Sequence, residues 1–470
     1  MHKGVFVEVV ALSSILGCAI YHPMPISQYA VHKRLQPPDM THVRALARKI
    51  KHPILHPIDL QPGEGLSPDV AAVLAVLLNP SLRAVRDQRA LSDAQILDAG
   101  LLPNPQLTYS LDVPTGGYTA GKINAFGLGL DWNVASLITR ASKVREAKAR
   151  GAAVNLDIAW REWQVAQGAK AAVYQLSSLR SQIALLEQVR QQVAKILAYV
   201  HKAVSDGFMT ASDLNSVQAA NSSVNERLIS LEKQADQQRL ILLRLMGLPA
   251  DSQVHLSKNL SQPFRVILPK TSLMEGLEQR RLDLLALRRG YDSQEAAVRA
   301  AVLEQFPRIT IGPTFNRDTD NTQTTGFGLN IELPIFNQGQ GKIAVERATR
   351  RKLYDEYIAR VFETRSDIGQ IESGIRFLNE QIAAAQATEA NLKKLVENYR
   401  MALTDGRANT LVYYRTWSDL INARIKVVDL KGQLAQAVVA VELATGFFKI
   451  PGLNQYSGMV STTPGGEKKQ

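Results

Sequence analysis

Few side chains in this sequence have the types and spacing that metal binding or catalysis requires. Six of the eight histidines lie before residue 60, namely His2 in the basic start and His22, His32, His42, His52 and His56 after it. His52 and His56 have the four-residue spacing of a helical ligand pair, but a proline follows each of them and disfavours helix there. No cluster of cysteine, histidine and acidic residues has metal-site spacing, and no nucleophile, phosphate-loop or dinucleotide motif occurs. The sequence therefore predicts no enzyme, no cofactor and no metal site.

The single cysteine, Cys18, cannot form an intrachain disulfide, and its context indicates a different modification. Residues 1–17 have a short basic start, an apolar stretch at Val5–Ile15 and a glycine directly before the cysteine. This arrangement resembles a bacterial lipoprotein signal, which implies that Cys18 is lipidated and becomes the new N-terminus. Glu8 and the bulky Leu16 depart from that pattern. An ordinary export signal with an incidental cysteine, or a cytoplasmic start, stays open.

The composition favours long helices over a compact core. The chain is 45% hydrophobic but 6% aromatic, and alanine, leucine, glutamine and arginine fill long stretches. The net charge of +12 is spread among acidic residues along those stretches, and no basic cluster is interleaved with aromatic residues. We therefore expect solvated helix surfaces and no nucleic-acid partner, with contact to anionic lipid headgroups as a secondary option.

An internal repeat sets the organisation of the chain. The matched segments keep the same order, and they are 84–111 with 286–313, 126–131 with 327–332, and 206–207 with 405–406. We predict two structural repeats, 66–257 and 268–452, between an extended, proline-rich N-terminal strap at 18–65 and a polar tail at 453–470.

Each repeat is predicted to contain the same elements. A first helix of about 30 residues ends at a proline, Pro103 or Pro307, and a pair of strands follows. A helix of about 65 residues, a turn at Asp-Gly and a helix of about 38 residues complete the repeat. A helix of about 65 residues is about 100 Å long, so these helices must form a long column.

The long helices of the first repeat carry apolar residues at spacings of three and four, which predicts a coiled-coil seam. Its members are Leu176, Leu179, Ile183, Leu186, Val193, Leu197, Val200 and Val204, then Leu214, Val217, Val224, Leu228 and Leu231. Arg190 is expected to interrupt the stripe on the outgoing helix, and Asn221 on the returning helix.

The predicted strands alternate apolar and polar residues, so each has one apolar face and one polar face. The apolar set is Leu107, Tyr109, Leu111, Val113, Phe126, Leu128, Leu130, Trp132, Ile309, Ile311, Phe327, Leu329, Ile331 and Leu333. Asp131 and Glu332 fall on the polar face, where an acidic group must meet water or a partner. The loops are expected at 114–122 and 317–325, and Pro313 indicates a bulge or a strand end.

The apolar face would be the core of a soluble sandwich, or the lipid-facing surface of a membrane barrel whose polar face lines a lumen. No run of 18 or more apolar residues follows the N-terminus, so a bilayer crossing would require strands in a closed barrel. Four strands cannot close a barrel alone, since about eight are needed for a filled interior. Three copies would supply twelve strands. Asp131 and Glu332 are then the lumen candidates.

Several motifs resemble those of the outer-membrane efflux protein family, the TolC-like channels. They are LLNPSLRAVRDQRALSDAQ at 77–95 with PNP at 103–105, LPIFNQGQGKIAVERA at 333–348, and the turns SDGFMTASDL at 205–214 and TDGRANTLVYY at 404–414. The resemblance extends over residues 66–452, and the first motif is similar to the heavy-metal branch, the CzcC-like proteins. It implies a mostly helical fold with membrane strands, in which three subunits share a 12-stranded barrel above a long coiled-coil tunnel.

The resemblance also implies partners and a mechanism. The homotrimer would be lipid-anchored in the outer membrane and would extend into the periplasm. A periplasmic adaptor, the membrane fusion protein, would dock at the helix tips, and an inner-membrane pump of the RND type would supply the energy. The duct would open by untwisting at those tips and would pass heavy-metal cations or drugs without chemistry of its own.

The helix tips are the candidate gate. The charged candidates are Asp206, Asp213, Asp405, Arg407 and Arg415, and the turn glycines are Gly207 and Gly406. The family often carries acidic residues after the second turn glycine, where this chain has Val412 and Arg415. A rim of Asp213, Arg407 and Arg415 would close by salt bridges between subunits. Ordinary helix caps and surface charges are the alternative interpretation.

Two other functions share these features. An outer-membrane duct for secreted polypeptides, as in type I secretion, keeps the fold and changes the cargo, which depends mostly on the inner-membrane partner. A periplasmic adaptor or another soluble coiled-coil scaffold also has helical hairpins. Its flanking domains would need many short strands, whereas this sequence shows four.

Overall fold

The computed structural model describes residues 20–36, 38–50, 55–61, 63–257, 260, 273–405, 407 and 410–446. The chain divides into two compact units, Met1–His42 and Val43–Gln470. The described part is mostly helical and contains one four-stranded antiparallel sheet. Cys18, Gly406 and the tail from residue 453 lie outside the described residues.

The N-terminal segment is helical in two places, although its prolines predict an extended strap. Helix α1 (Gln28–Leu35) begins after Ser27, whose hydroxyl accepts a hydrogen bond from the Ala30 N–H. Helix α2 is Met40–Arg48. From residue 43 onward, apolar side chains of this segment join the core of the second unit, namely Val43, Ala47, Leu55 and Leu60.

The first helix of repeat one is broken in two, contrary to the prediction of one helix. Helix α3 (Pro68–Leu78) ends at Asn79, and α4 (Pro80–Gly100) begins directly after it. The Asn79 side chain accepts hydrogen bonds from the first N–H groups of α4, which makes it an N-cap. No single described helix has the length and apolar composition of a membrane span. Only α3 and α4 together pass that test, and they are bent by 53°.

The remaining helices follow the predicted order in both repeats. Repeat one continues with α5 (Ser136–Ser205, 70 residues) and α6 (Ala211–Leu245, 35 residues). Repeat two has a short α7 (Leu277–Arg280) and α8 (Leu282–Leu303), then α9 (Gln340–Thr404, 65 residues) and α10 (Thr410–Thr445, 36 residues). At 1.5 Å per residue, α5 is about 105 Å long, which confirms the prediction of long helices.

The predicted seam is present, with one correction. Its buried members come from α5, α6 and α10, and they are Leu179, Leu186, Val189, Val193, Leu228, Leu231, Ile421 and Ile425. Val189, not Arg190, occupies the stripe between Leu186 and Val193, which keeps the spacing of three and four. Arg190 is exposed and pairs with Glu187, with 2.6 Å between the guanidinium nitrogen and a carboxylate oxygen.

The two long helices have different surroundings. Helix α5 packs against α3, α4, α6, α8 and α10, whereas α9 packs mainly against α8 and α10. Large apolar side chains on α9 are therefore exposed in the single chain, including Ile358, Phe362 and Phe377. On α6, Ile229 is exposed as well. The two repeats are therefore similar in sequence, but their long helices α5 and α9 are buried to different extents within the chain.

The sheet contains β1 (Gln106–Asp112), β2 (Ala125–Asn133), β3 (Ile309–Arg317) and β4 (Gln323–Ile331), in that spatial order. All neighbours are antiparallel. Each repeat thus contributes one hairpin, and β2 joins β3 across the repeats. The second hairpin loop is shorter than predicted, because β3 reaches Arg317 and β4 starts at Gln323. Glu332 and Leu333 lie just beyond the end of β4, and Val113 just beyond β1.

Pro313 lies inside β3, not at a bulge or a strand end as expected. It pairs with Phe327 of β4, but the pairing with β2 lapses beside it. The pairs that flank this gap keep one register, and they are Gly129–Thr314 and Trp132–Ile311. Proline has no N–H to donate, and at the neighbouring Gly312 any Cβ would collide with the Leu130 carbonyl. The strand therefore stays in place because a glycine allows this close approach.

Candidate functional site: the sheet and the helix tips

One face of the sheet is mostly apolar along all four strands, and its polar members, Arg317, Gln323 and Thr325, lie at the loop end. Residues that pair across antiparallel strands share a face, and the apolar pairs include Leu107–Leu130, Tyr109–Leu128, Leu128–Phe315, Ile311–Leu329 and Ile309–Ile331. This face is open in the single chain. Leu107 is 71% exposed, Phe327 68% and Leu329 60%. A surface of this size and composition needs lipid or another protein against it.

The opposite face is polar and built from small residues. Its members are Thr108, Ser110, Asp112, Gly127, Gly129, Asp131, Thr310, Gly312, Thr314, Asn316, Thr324, Gly326, Gly328 and Asn330. Five of the fourteen are threonines or asparagines on β3 and β4, and none of the fourteen is a large apolar residue. The sheet is therefore two-faced, as the period-two pattern predicts.

The two acidic lumen candidates differ in their environment. Asp131 is half-buried on β2, and its carboxylate accepts a hydrogen bond from the Thr108 hydroxyl at 3.2 Å. Glu332 is exposed beyond β4, where its carboxylate lies 3.7 Å from the Arg308 guanidinium. Its own N–H donates to the Arg308 carbonyl at 3.0 Å. Glu332 thus has a cationic neighbour, and Asp131 has a neutral one.

A charged junction that the sequence did not reveal lies where the sheet meets the long helices. Glu304, at the end of α8, lies between Lys143 near the start of α5 and Lys342 near the start of α9. The nitrogen of Lys143 is 3.0 Å from a Glu304 oxygen. Burial opposes ionisation of Glu304, but the two lysines outweigh it and lower the pKa of that carboxyl. The junction ties both repeats together directly below the sheet.

The hairpin loops at the other end of the sheet are also joined. Lys122 in the first loop contacts the Asp320 carboxylate in the second, and the Ile123 N–H donates to the Thr319 carbonyl at 3.0 Å. Charges in both loops and both helix starts are visible in the sequence. Their pairing depends on β2 lying beside β3, which the repeat alone does not specify.

The first helix tip is a tightly capped turn. Asp206 is the C-terminal cap of α5, and Gly207 has φ +80°, the left-handed conformation that glycine adopts readily. Thr210 and Asp213 then form a capping box, in which the Thr210 N–H donates to Asp213 at 2.9 Å. The Thr210 hydroxyl and N–H lower the pKa of Asp213. Within the chain, Asp213 starts a helix.

The second tip places its charges differently. Asp405 is the C-terminal cap of α9, and the exposed Arg407 donates to its carboxylate at 3.1 Å. Arg415 and Val412 are exposed on α10. Among the described residues, no ion pair joins Asp213 to Arg407 or Arg415 inside one chain. A rim closed by salt bridges between subunits therefore stays a prediction.

The described residues contain no group of three or more histidine, cysteine or acidic side chains that could hold a metal ion. His22, His32, His42 and His56 are described, and His52 is not. The candidate sites in the described part of the chain are the two faces of the sheet and the charged turns at the helix tips.

Residues 273–447 match the family described as outer membrane efflux protein. The cobalt-zinc-cadmium resistance protein CzcC of Cupriavidus metallidurans is 25% identical over 397 residues, which cover 81% of this chain and 90% of CzcC. The structure is similar to the outer membrane channel CmeC of Campylobacter jejuni, with a TM-score of 0.68, 13% identity and coverage of 91% and 94% of the two chains.

A second solved structure gives the same result. The outer membrane protein VceC of Vibrio cholerae has a TM-score of 0.66 and 17% identity, with coverage of 81% of this chain and 96% of VceC. The matched segment contains the second hairpin and both long helices of repeat two, and the structural similarity extends to the first repeat. Residues 273–447 thus match the outer membrane efflux protein family, and the chain has the fold of solved outer membrane channels such as CmeC.

Proposed function

We propose that this chain is one subunit of a homotrimeric outer-membrane channel in a tripartite efflux system, a passive export duct for small solutes. The two-faced sheet carries this proposal. Its apolar face is exposed in the single chain, and its polar face presents hydroxyl, amide and glycine positions with two carboxylates. Lipid on one side and water on the other satisfy both faces, as in strands that span an outer membrane.

The strand order supports three copies. Within one chain β1 and β4 are the edge strands, and each has one side without a partner strand among the described residues. Pairing β4 of one subunit with β1 of the next would remove both edges. Three copies give a barrel of twelve strands, which exceeds the approximately eight strands that leave a filled interior. A lumen then runs along the polar face.

The helices support the same assembly. The exposed apolar residues of α9, such as Phe362, need a partner in water, and so does Ile229 on α6. In a ring, α9 of one subunit packs against its neighbour and completes a tunnel. The tips expose Phe208, at 82%, together with Asp206 and Arg407. A periplasmic adaptor docks on these tips, and an inner-membrane pump, of the RND type, drives export.

Heavy-metal cations are the cargo that we favour, because of the similarity to the cobalt-zinc-cadmium resistance protein. Drugs are the second class. A duct for secreted polypeptides would use the same fold, since the pump selects the cargo, so the genes beside this one decide between them. A soluble periplasmic adaptor is disfavoured, because it would leave the apolar face of the sheet in water.

We further propose that residues 1–17 are a lipoprotein-type signal and that Cys18 is the lipidated N-terminus, which anchors the mature chain to the outer membrane. Residues 66–257 and 268–452 are the two repeats, and 453–470 is a polar tail. Intact-mass measurement of the protein from membranes tests the anchor. A mature mass that starts at Cys18 and includes acyl chains supports it, and an unmodified Cys18 excludes it.

Detergent extraction and bilayer recording test the channel itself. The purified chain should require detergent, run as a trimer in light scattering and insert into planar bilayers as a channel. A Leu329→Arg variant should fail to insert, because an arginine facing lipid near the bilayer centre costs about 2–4 kcal/mol. An Asn330→Arg variant is the matched control and should still insert. A chain that is soluble and monomeric without detergent would exclude the proposal.

A further inference from the structure

The sheet has a charge asymmetry that the channel fold does not require. Across the four strands the charged residues are Asp112, Asp131 and Arg317. Both carboxylates lie on the polar face, because Asp131 is two residues from Gly129, the partner of Thr108, and Asp112 is two residues from Ser110, the partner of Gly127. The polar face of the strands therefore has negative charge and no positive charge.

The one strand arginine is kept away from that face. Arg317 pairs with Phe126, so it belongs to the apolar face at the loop end of β3. Its guanidinium lies 4.6 Å from the centre of the Phe126 ring and donates to the Asn124 carbonyl at 3.1 Å. The cation–π contact and the hydrogen bond to the carbonyl hold the guanidinium at the loop end of the apolar face. It does not neutralise either carboxylate.

Cations near the helix end of the sheet already have partners. Arg308 lies 3.7 Å from Glu332, and Lys143 and Lys342 both contact Glu304. Within the described part of the chain, no lysine or arginine forms a salt bridge with Asp131. Its charge is therefore uncompensated, although it is half-buried.

We infer that Asp131 makes the duct prefer cations over anions at the helix end of the barrel, with Asp112 acting in the same direction at the loop end. This inference rests on the proposed trimer, in which each position occurs three times around the lumen. Asp131 is six residues from Ala125, the partner of Asp112, so the two rings are about 20 Å apart along β2. Rings of carboxylates favour cations because they lower the energy of a cation in the pore and raise that of an anion.

The experiment is a reversal-potential measurement in planar bilayers with a potassium chloride gradient. The wild-type trimer supplies the reference ratio of potassium to chloride permeability. Asp131→Asn should lower this ratio about two- to fivefold, since charges of this kind are partly screened by water. Arg308→Gln should raise the ratio, because it leaves Glu332 without its cation. Asp59→Asn, which removes the same charge far from the sheet, is the control and should leave the ratio unchanged.

Salt concentration gives a second readout. The effect of Asp131→Asn should be larger at 0.01 M than at 1 M salt, where the Debye length is about 3 Å. An Asp131→Asn channel that conducts with the wild-type permeability ratio at both salt concentrations would overturn the inference and leave the channel proposal intact. A wild-type chain that forms no channel would instead overturn the proposed function.

Discussion

Gly432 of α10 lies directly against Ser178 of α5, so closely that a Cβ on Gly432 would be 2.5 Å from the serine oxygen and 2.6 Å from its Cβ. The Ser178 hydroxyl donates to the Val428 carbonyl of α10 at 3.2 Å. This contact joins the long helix of the first repeat to the last helix of the second. The two helices can approach this closely because glycine has no side chain at position 432.

A Gly432→Val substitution should therefore separate α5 from α10. We expect a loss of about 1–3 kcal/mol, the usual effect of inserting methyl groups into a packed contact. Thermal unfolding in detergent measures it. Gly290→Val is the matched control, because Gly290 is helical on α8 and has open space around it. Equal melting temperatures for the two variants would contradict the close contact.

Arg281 is a buried anchor at the start of α8. It donates to both carboxylate oxygens of Asp283, at 2.9 and 2.7 Å, and to the Ala444 carbonyl of α10 at 2.8 Å. Arg281→Met should destabilise the chain by about 3–5 kcal/mol, because Asp283 would remain charged and buried. Denaturant unfolding measures the loss.

Two further variants separate charge from packing at Arg281. Adding Asp283→Asn to Arg281→Met should recover part of the stability, since the uncompensated charge is then gone. Arg289→Met breaks an exposed pair with Asp292 and should change stability by less than about 0.5 kcal/mol. If the double variant is no more stable than Arg281→Met alone, packing and not charge explains the loss.

The capping box at the first helix tip should depend on pH. Since the Thr210 hydroxyl and N–H lower the pKa of Asp213, the ionised carboxylate stabilises the folded tip. That contribution is present above about pH 4 and is lost as the pH falls through the lowered pKa. Thr210→Ala should raise the pKa of Asp213 and speed amide exchange in the first turn of α6, whereas Thr210→Ser should not. Exchange at neutral pH that is identical in wild type and Thr210→Ala would argue against the cap.

Glu442 of α10 should behave in the opposite way. Burial raises the pKa of this carboxyl, and Lys170, at 3.9 Å, only partly opposes that effect. Ionised Glu442 therefore destabilises the folded chain at neutral pH, and the deficit disappears as the pH falls through the raised pKa. Glu442→Gln should melt at a higher temperature than wild type at pH 7, and the difference should shrink on acidification.

The control for Glu442 is an exposed glutamate with the reverse shift. Arg400 lowers the pKa of Glu397, so Glu397→Gln should give no gain at pH 7. A Glu442→Gln variant that melts below wild type at pH 7 would mean that the salt bridge to Lys170 outweighs the burial of the charge.

The repeat, the four strands, the lengths of the long helices and the apolar seam are predictable because each follows from a local pattern. Period-two alternation identifies both faces of β2, and spacings of three and four identify the seam from Leu179 to Val193. Details that depend on a single backbone choice are not predictable in this way. The break at Asn79 and the place of Pro313 inside β3 both depend on what a proline and its neighbours do locally.

The candidate site shows the same division. Alternation alone assigns Asp131 and Glu332 to the polar side of the strands. It does not predict that Glu332 has a cationic neighbour and that Asp131 has a neutral one. Glu332 lies near Arg308 because β3 and β4 pair in one register, and Glu304 reaches Lys143 because α8 packs on α5. Such contacts join residues far apart in sequence, so the local pattern does not contain them.

In the proposed channel the apolar face of the sheet contacts lipid and the polar face contacts water. The most direct test is the accessibility of spin labels on β4 of the trimer in liposomes, at cysteines introduced at Phe327, Gly328, Leu329 and Asn330. The unsubstituted chain, with Cys18, gives the background. Oxygen, which partitions into lipid, should relax labels at 327 and 329, and a water-soluble nickel complex should relax those at 328 and 330. Equal access of the nickel complex to all four positions would contradict the claim.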